Sequence, residues 1–577
     1  MASKFEPLNS FDREIRVLSF VADSSTVSAI QHGRETLLTY KEPGSAAFTS
    51  EIRCAVCPIS LDSTNPEDTY CALSYVWGVQ EPTTPISLNG QRMDVVPNLL
   101  SALQHLRRHP EAKGRKLWID AICINQADLE EKARQVDMMG EIFRRADKVF
   151  IWLGREGEGS NLAMDLLNSV PTPGDTTALK HFVDTRANHD EAWIAVKCLF
   201  ERDYWRRLWV LQEILLSKQA YVLCGDRVCA WESIMTLLKR SNYSNNIEIR
   251  STPARNALLG WKMVLLVDII RSRREGRTGL LDYLVLSRQR QASVAHDYIY
   301  GVLGLVEERI LYADYKKCVE DVYRDIALYM LRSKGDLRIL SMCCETASQG
   351  INPTWVPDWR NQYKEPYQAF LLCLQDYDAG LASINEPDMD FLQNSQVLQI
   401  KGKLIDIISF TSPTHSSTNR WPQVGEDWTA WLTQAPDRTQ QYGQFEGQRE
   451  AFRAALYCQY GAITTRNDGS GQYFDLIVSE STTRPTREEL SHPKRSFGKV
   501  GRQFFGTEKG YMGRGLCDTE KGDVVVVIKG AKVPFVLRKS NTDDFYYLVG
   551  ECYLHGTMNG ELVRDGGEHQ WEYFFLK

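Results

Sequence analysis

The sequence predicts an α/β protein with a parallel sheet in its first part, then a mostly helical region, then an α+β region rich in strands. Short apolar runs alternate with amphipathic segments as far as about residue 235, an order typical of parallel sheets joined by crossover helices. Beyond residue 345 the pattern changes to strand-like runs separated by turn residues. The predicted organisation is an N-terminal extension over residues 1–50, an α/β domain over 51–235, a helical region over 236–345 and a β-rich region over 346–577.

The early elements of the α/β domain can be placed in order. Residues 15–20 read as a short strand, and residues 70–78 (YCALSYVWG) are apolar on both faces, which suits a central strand. Asn89-Gly90 lies between two strand-like runs and predicts a hairpin with a type I′ turn. Residues 97–109 follow as a helix with one leucine stripe and basic residues in its last turn.

Residues 117–154 then read as a strand–helix–strand unit. The two strands are predicted over residues 117–122 and 148–153. Asp128 with Glu131 fits a capping box at the start of the helix between them. The apolar stripe of this helix should face the sheet and consists of Leu129, Ala133, Val136, Met139 and Phe143. A helix dense in aromatic residues is predicted over 199–217, and a further strand over 220–225.

Composition excludes several classes of protein. A chain of 577 residues is too long for one core, so two or three domains are expected, and a net charge of −6 gives no bulk reason to bind nucleic acid or an anionic membrane. No apolar run reaches ~18 residues and the start is polar, so we expect a cytoplasmic protein whose 14 cysteines are reduced. Cys54 and Cys57 form a CxxC pair without the further ligands of a structural zinc site, so no metal is predicted.

Polar and aromatic residues cluster where the predicted strands end. In open parallel sheets, ligands bind outside the carboxyl ends of the strands. The residues found there are Trp77, Gly78, Asp120, Asn125, Gln126 and Gly154. Together they offer a carboxylate, two amides, an aromatic face and two glycines that permit close approach. The alternative is structural: Asn125 would only cap a helix, and Trp77 would only fill the core.

Glu213 is the second candidate. Trp209 lies four residues before it, so on one helix the two side chains would share a face, and the opposite apolar stripe would bury the helix without them. The alternative is a surface ion pair between Glu213 and Arg206. Signatures of phosphate-binding loops, zinc proteases and serine hydrolases are absent, and the core motifs contain no histidine.

Three stretches resemble, in order and spacing, the signature blocks of the fungal heterokaryon incompatibility (HET) domain. They are residues 70–78, 117–154 and 203–214 (DYWRRLWVLQEI). Later pieces such as WVPDW and GDVVVVIKGAKVPFVLR resemble the usual extension of such proteins. One departure is Lys132, where the family more often has Arg; lysine keeps the charge but not the planar fork.

The resemblance implies a flavodoxin/TIR-like sheet and a role in programmed cell death during fungal allorecognition, a form of innate immunity. Some TIR domains cleave NAD with a glutamate in a Trp-x-x-x-Glu sequence, to which Trp209 and Glu213 are similar. The enzyme hypothesis is therefore an NAD glycohydrolase with Glu213 catalytic, NAD as substrate and no cofactor. The residues expected to bind the substrate are Trp77, Gly78, Asp120, Asn125, Gln126 and Trp209.

Two other hypotheses stay open. In the first, the domain is a non-catalytic signalling module that acts by self-assembly, as a homo-oligomer or with an incompatibility partner protein. In the second, it is a scaffold whose C-terminal half binds the partner. The resemblance does not choose between them, because one fold serves many functions.

Overall fold

The computed structural model describes fourteen stretches of the chain: residues 5, 7–9, 12–21, 29–32, 35–38, 52–170, 190–243, 279–288, 290–343, 353–360, 377–382, 386–412, 502–564 and 570–577. The chain divides into two compact units, Met1–Lys317 and Cys318–Lys577.

The first unit is built on a mixed sheet. Its strands within the described residues are β1 (Glu14–Phe20), β2 (Ala29–His32), β3 (Glu35–Leu38), β4 (Arg53–Ser60), β5 (Tyr70–Tyr75), β6 (Thr84–Leu88), β7 (Gln91–Val95), β8 (Lys116–Trp118), β9 (Val149–Trp152), β10 (Ala220–Cys224) and β11 (Arg227–Ala230). Nine of these described strands form one sheet in the order β11-β10-β9-β5-β8-β1-β4-β6-β7, while β2 and β3 pair separately.

This sheet is parallel at its centre and mixed toward its edges, where β4 and β6 pair in parallel but their other neighbours are antiparallel. Strands β8, β5, β9 and β10 run in the same direction, whereas β1 pairs antiparallel with both β8 and β4. The prediction of a parallel sheet is therefore confirmed for these four strands and wrong for both edges, where the pairs β10–β11, β1–β8, β1–β4 and β6–β7 are antiparallel. The reason is that apolar periodicity identifies a strand but carries no information about the direction of its neighbour.

The helices of the first unit cover both faces of the sheet. They are α1 (Pro97–Leu106), α2 (Asp120–Cys123), α3 (Leu129–Arg145), α4 (Ser160–Asn168), α5 (Asp190–Glu201), α6 (Val210–Leu215), α7 (Trp231–Tyr243), α8 (Leu280–Ser287) and α9 (Asp297–Leu303). Leu117 and Ile119 pack in the core cluster that contains α1, whereas Trp118 contacts Phe143 of α3. Because successive strand residues point to opposite faces, α1 and α3 lie on opposite sides of the sheet.

The second core strand is shorter than predicted. Strand β8 ends at Trp118, and Asp120 begins the single helical turn α2 instead of lying on the strand. The Asn89-Gly90 hairpin is confirmed: both residues have positive φ, 49° and 76°, as a type I′ turn requires.

Helix α3 begins as predicted but is capped differently. Asp128 accepts hydrogen bonds from the N–H groups of Glu130 and Glu131, so the N-cap is confirmed. The return half of the capping box is not made, because the Glu131 carboxylate instead binds the buried guanidinium of Arg16. Leu129 is 43% exposed, so its place in the apolar stripe is wrong, while Val136 is buried.

Residues 199–217 are not one helix. Helix α5 ends at Glu201, a 3₁₀ segment spans Asp203–Arg206, and α6 begins at Val210. The break has a tertiary cause: the N–H of Leu208 donates to Gln291 O at 2.9 Å, and Arg206 O accepts from the N–H of Gln291 at 2.6 Å. These backbone groups are engaged by a distant segment and are not available to a continuous helix.

Helix α9 packs tightly against α3 and α6. A Cβ atom added to Gly140 would lie 2.9 Å from Gly304 Cα, and one added to Gly304 would lie 2.3 Å from Gln212 Oε1. Only glycine permits this approach of the two backbones. The helical pattern of residues 255–274, which supports the predicted helical region over 236–345, lies outside the described residues.

The second unit is a strand-rich body. Its strands among the described residues are β12 (Met389–Leu392), β13 (Val397–Thr411), β14 (Arg502–Thr507), β15 (Met512–Leu516), β16 (Val524–Ile528), β17 (Phe535–Lys539), β18 (Tyr546–Glu551), β19 (Tyr553–Leu554) and β20 (Glu572–Leu576). Helix α10 (Val319–Leu328), a π-helical turn (Tyr329–Ser333) and a 3₁₀ segment (Leu337–Met342) precede them. Strands β16, β17, β18 and β20 pair in turn, and β13 pairs with both β16 and β20, so these five strands close into a ring.

Two other regions complete the comparison with the sequence. The sequence also predicts loops or inserts at two Ser/Thr/Pro/Gly-rich pieces, residues 411–425 and 464–497, which lie outside the described residues apart from 411–412. Within the part of the chain that the structure describes, no helix is long and apolar enough to span a bilayer.

Candidate functional site at the carboxyl edge of the sheet

Four chain segments converge at one edge of the parallel strands. Strand β5 pairs with β8 in parallel, so their carboxyl ends lie at the same edge. The end of β5 supplies Ser74 and Tyr75, and the following loop supplies Trp77. Asp120 comes from α2, directly after β8, and Arg207 and Glu213 come from the segment around α6. This edge is where ligands bind in open α/β sheets.

Asp120 is held by groups from its own turn and from the β5 loop. Trp77 Nε1 donates to Asp120 Oδ2 at 2.9 Å, and the N–H of Ala121 donates to Oδ1 at 2.7 Å. Burial raises the pKa of Asp120 above its ordinary value, while the Arg207 guanidinium and the Trp77 hydrogen bond act in the opposite direction. The predicted proximity of Trp77 and Asp120 is thus present in the structure.

Glu213 is buried rather than exposed. Glu213 is 3% exposed, and every residue of α6 is buried. The expectation that the core is complete without Glu213 is therefore wrong. Glu213 Oε2 accepts hydrogen bonds from Ser74 Oγ and, at 3.4 Å, from Arg207 Nη1. Ser74 Oγ in turn lies 2.6 Å from the hydroxyl of Tyr204. Burial raises the pKa of Glu213, and the Arg207 charge opposes that shift.

Arg207 connects the two carboxyl groups. Burial lowers its pKa, but the charges of Glu213 and Asp120 outweigh burial and hold the pKa above the ordinary value. Arg206, the residue before Arg207, lies on the surface and forms a 3.8 Å ion pair with Asp203. The alternative of a surface ion pair between Arg206 and Glu213 is therefore wrong. Glu213 pairs with Arg207 instead, and this pair is buried.

Trp209 does not share the Glu213 cluster. Its Nε1 donates to Asp297 Oδ2 at 3.1 Å, on the side of α6 that packs against α9. The predicted combination of the Trp209 and Glu213 side chains is thus absent in this structure. The helical spacing is kept, since the N–H of Glu213 donates to Trp209 O at 3.2 Å, but the indole is bonded to Asp297 and the carboxylate to Ser74 and Arg207. The aromatic residue that accompanies the carboxylates is Trp77.

Of the two predicted amide side chains, Asn125 and Gln126, only that of Gln126 bonds to Asp120, and it does so at the backbone carbonyl. Gln126 Nε2 donates to Asp120 O at 3.1 Å. Asn125 bonds locally: its Oδ1 accepts from the N–H of Ala127 at 3.3 Å, and its own N–H donates to Glu131 Oε1 at 2.7 Å. Asn125 therefore shapes the loop, while the helix cap that the structural alternative gave it is made by Asp128.

The glycines lie at the rim of the site. Gly78 is exposed with φ of 69°, and Gly154 has φ of 105°. Asn98, which sequence reasoning missed, holds the loop before Gly78: its Nδ2 donates to Val76 O at 2.6 Å, and its Oδ1 accepts from Trp152 Nε1 at 3.0 Å.

Sequence reasoning did not place Ser74, Tyr75 or Tyr204 at the site, and it offered Arg207 only as an interior partner of Glu213 alongside Arg206. The Tyr75 hydroxyl lies in the field of Asp120, and burial followed by that charge raises the pKa of Tyr75 well above its ordinary value. These residues read as strand or helix core, or as part of a basic run. The available signal was the position of Ser74, a hydroxyl inside an otherwise apolar central strand.

Comparison with known proteins places this site in a family. Residues 70–213 match the family model described as heterokaryon incompatibility protein (HET). The chain therefore contains a heterokaryon incompatibility (HET) domain. The HET match begins at β5 and ends at Glu213 itself. It therefore contains the carboxylate cluster, by which we mean Ser74, Trp77, Asp120, Arg207 and Glu213. A second match, to the Het-6 beta-barrel domain, covers residues 410–576 and contains most of the ring of strands in the second unit.

A curated relative extends the similarity along the chain. The "Heterokaryon incompatibility protein 6, OR allele" of Neurospora crassa is 24% identical over 652 residues, which covers 90% of this chain and 93% of the relative. No solved structure matches. Beyond the HET match, the first unit continues to Lys317, and its described part contains the segment that contacts Trp209 and Arg207.

Proposed function

We propose that this HET-domain protein is an effector of heterokaryon incompatibility and programmed cell death, and that it acts by cleaving NAD at the Asp120–Arg207–Glu213 cluster. The family match and the Neurospora relative support the incompatibility role. One observation carries the enzymatic part: the Arg207 guanidinium is bonded to Glu213 and lies in the field of Asp120, which Trp77 holds, so two carboxyl groups distant in sequence share one positive charge at the carboxyl edge of parallel strands.

The strand order supports a ligand site at this edge. The four parallel strands lie in the order β8-β5-β9-β10, so the first of them along the chain is flanked by the second and third. Flavodoxin-like sheets begin with the same order, and they bind nucleotides where the direction of strand addition reverses. In this chain that reversal falls at β5, whose end carries Ser74, Tyr75 and Trp77.

The side chains present suit cleavage of the nicotinamide–ribose bond. The bond breaks through an oxocarbenium-like ribose, and a carboxylate close to that positive charge stabilises it. Glu213 is the proposed catalytic carboxylate, Asp120 would hold the ribose hydroxyls, and the partly exposed Trp77 ring would stack on a planar group. Nicotinamide is already a good leaving group, so the site does not require a general acid.

A second candidate function has its own support. Glu213 is buried and bonded to Ser74 and Arg207, an arrangement that a purely structural ion pair would also show. On this alternative the HET domain is a non-catalytic signalling module that self-associates or binds an incompatibility partner. Its toxicity would then depend on an exposed surface and not on the carboxylate.

Nicotinamide release tests the two candidates. Full-length protein is incubated with NAD, and free nicotinamide is measured by chromatography, while the same variants are expressed in a fungal host and scored for growth. Glu213→Gln should lower the rate at least about 100-fold, the scale of removing one stabilising group from a transition state. The control is Glu201→Gln, the same change at a carboxylate that is 48% exposed on α5.

The outcomes separate the candidates. Loss of both nicotinamide release and toxicity in Glu213→Gln, with Glu201→Gln unaffected, supports the enzyme. A folded Glu213→Gln variant that still kills cells, with no NAD cleavage in any protein, rules out the enzyme and favours the assembly module. A mass measurement in solution then shows whether the toxic form is a homo-oligomer.

A further inference from the structure

A segment outside the HET match is bonded to the chain on both sides of Arg207. We name residues 290–317 the strap; they belong to the same unit as the HET domain. The N–H of Leu208 donates to Gln291 O at 2.9 Å, and the N–H of Gln291 donates to Arg206 O at 2.6 Å. Arg290 Nη1 donates to Trp205 O at 3.0 Å and to Arg207 O at 3.3 Å. The backbone position of Arg207 therefore depends on the strap.

The strap also holds the start of α6. Asp297 is buried, and it accepts one hydrogen bond from Trp209 Nε1 at 3.1 Å and another from the Tyr315 hydroxyl at 2.8 Å. Gln212 Nε2 donates to Tyr300 O at 3.1 Å. The two ends of the strap are thus joined through Asp297 to the turn that leads into Glu213.

Arg207 covers the carboxylate that a substrate would have to reach. The Glu213 side chain is 4% exposed and its bonded partner Arg207 is 18% exposed, so Arg207 is the member of the pair that solvent reaches more. Contact between Glu213 and a ligand therefore requires Arg207 to withdraw. Because the strap bonds the backbone on both sides of Arg207, withdrawal of this residue is coupled to loosening of the strap.

We propose that the strap is an autoinhibitory latch that keeps Glu213 closed beneath Arg207, and that release of the Trp209–Asp297–Tyr315 contacts opens the site. The biological meaning of the latch rests on the proposed NAD cleavage, but its mechanical part does not. The structure corresponds to the closed state. A latch of this kind gives a toxic activity a resting form, and opening shifts the population toward the form in which Arg207 has withdrawn from Glu213.

Hydrogen exchange tests the latch independently of any activity. Tyr315→Phe removes one donor to Asp297 and keeps the ring that packs against Tyr300 and under Lys132. Amides of residues 206–215, and that of Leu208 above all, should exchange about five-fold faster, the factor that corresponds to a net hydrogen bond of about 1 kcal/mol. The control is Tyr312→Phe, the same change on a side chain that is 66% exposed. Equal exchange in the two variants overturns the latch.

A second variant approaches the latch from the other side. Trp209→Phe removes the indole donor to Asp297 and should accelerate exchange of the same amides. Unchanged exchange in both Tyr315→Phe and Trp209→Phe, with each protein folded by circular dichroism, means that Asp297 does not hold this segment. That result overturns the proposal.

The enzymatic readout distinguishes the latch from the proposed function. If both are correct, Tyr315→Phe releases nicotinamide about five-fold faster than the unmodified protein, in parallel with the exchange, and adding Glu213→Gln abolishes the gain. Faster exchange with no nicotinamide from any variant supports the latch and refutes NAD cleavage. Faster exchange with slower nicotinamide release overturns the latch, because the strap would then position the site instead of closing it.

Discussion

Glu131→Gln is the sharpest test of how the candidate site is held. Arg16 Nη1 and Nη2 bind the two oxygens of Glu131 at 2.5 and 3.0 Å, and the side chains are only 3% and 7% exposed. Glu131 Oε1 also accepts the N–H of Asn125. One carboxylate therefore fixes β1, α3 and the loop beneath Asp120 together.

The expected loss is large because the substitution leaves a buried guanidinium without a charged partner. Breaking a buried ion pair by removing one side costs about 3 to 5 kcal/mol. Glutamine keeps the shape and one acceptor oxygen, so the lower end, about 3 kcal/mol, is expected. For a unit of 317 residues, with an unfolding entropy of about 2.1 cal/mol/K per residue, that corresponds to a fall of about 4 to 5 °C in the unfolding temperature.

Calorimetry with a neighbouring control decides the matter. Glu130→Gln makes the same change one residue earlier, where the carboxylate is 67% exposed and pairs with Lys316. Its unfolding temperature should equal that of the unmodified protein. Amide exchange at Asn125 should accelerate only in Glu131→Gln. Coincident melting of the two variants would refute the argument that the Arg16–Glu131 pair holds the loop.

Two further substitutions on α3 test burial and charge. Val136→Asp places an unpaired charge at a buried position and should lower the free energy of unfolding by about 3 kcal/mol or more. Arg134→Ala, on the exposed face, should change it by no more than about 0.5 kcal/mol. Similar melting temperatures for the two variants would mean that the buried face is misassigned. Burial raises the pKa of Asp137 from 3.8 to about 6, so its contribution to stability is present below pH ~4 and lost as the pH rises through 6. Asp137→Asn keeps the acceptor for the N–H of Ala313. The pKa shift corresponds to ~3 kcal/mol, which solvent screening reduces to about 1 kcal/mol, so the variant should be more stable than the unmodified protein by that amount at pH 7.5. At pH 4 its melting temperature should show no gain.

Local chemistry was enough for the elements whose cause lies within a few residues. The Asn89-Gly90 turn and the Asp128 N-cap depend on backbone and side-chain geometry over two to three residues, and both were predictable. The apolar core strands were recognisable from their composition. Their order and direction were not, because β1 is joined to β8 by contacts that no short window contains.

The candidate site divides in the same way. Trp77 and Asp120 could be predicted, because both follow core strands and parallel strands bring their carboxyl ends to one edge. Glu213 could be singled out from a resemblance, but its burial and its partner Arg207 could not. A single helix over 199–217 would have put Trp209 and Glu213 on one face.

Tertiary structure decided otherwise through residues about 80 positions further along the chain. Gln291 takes the backbone groups of Arg206 and Leu208, and Asp297 takes the indole of Trp209. Because backbone and indole donors bind whichever acceptor the packed fold brings within reach, this outcome depends on long-range geometry. The sequence determined which side chains were available at the sheet edge, and the packing of the strap determined which of them face Glu213.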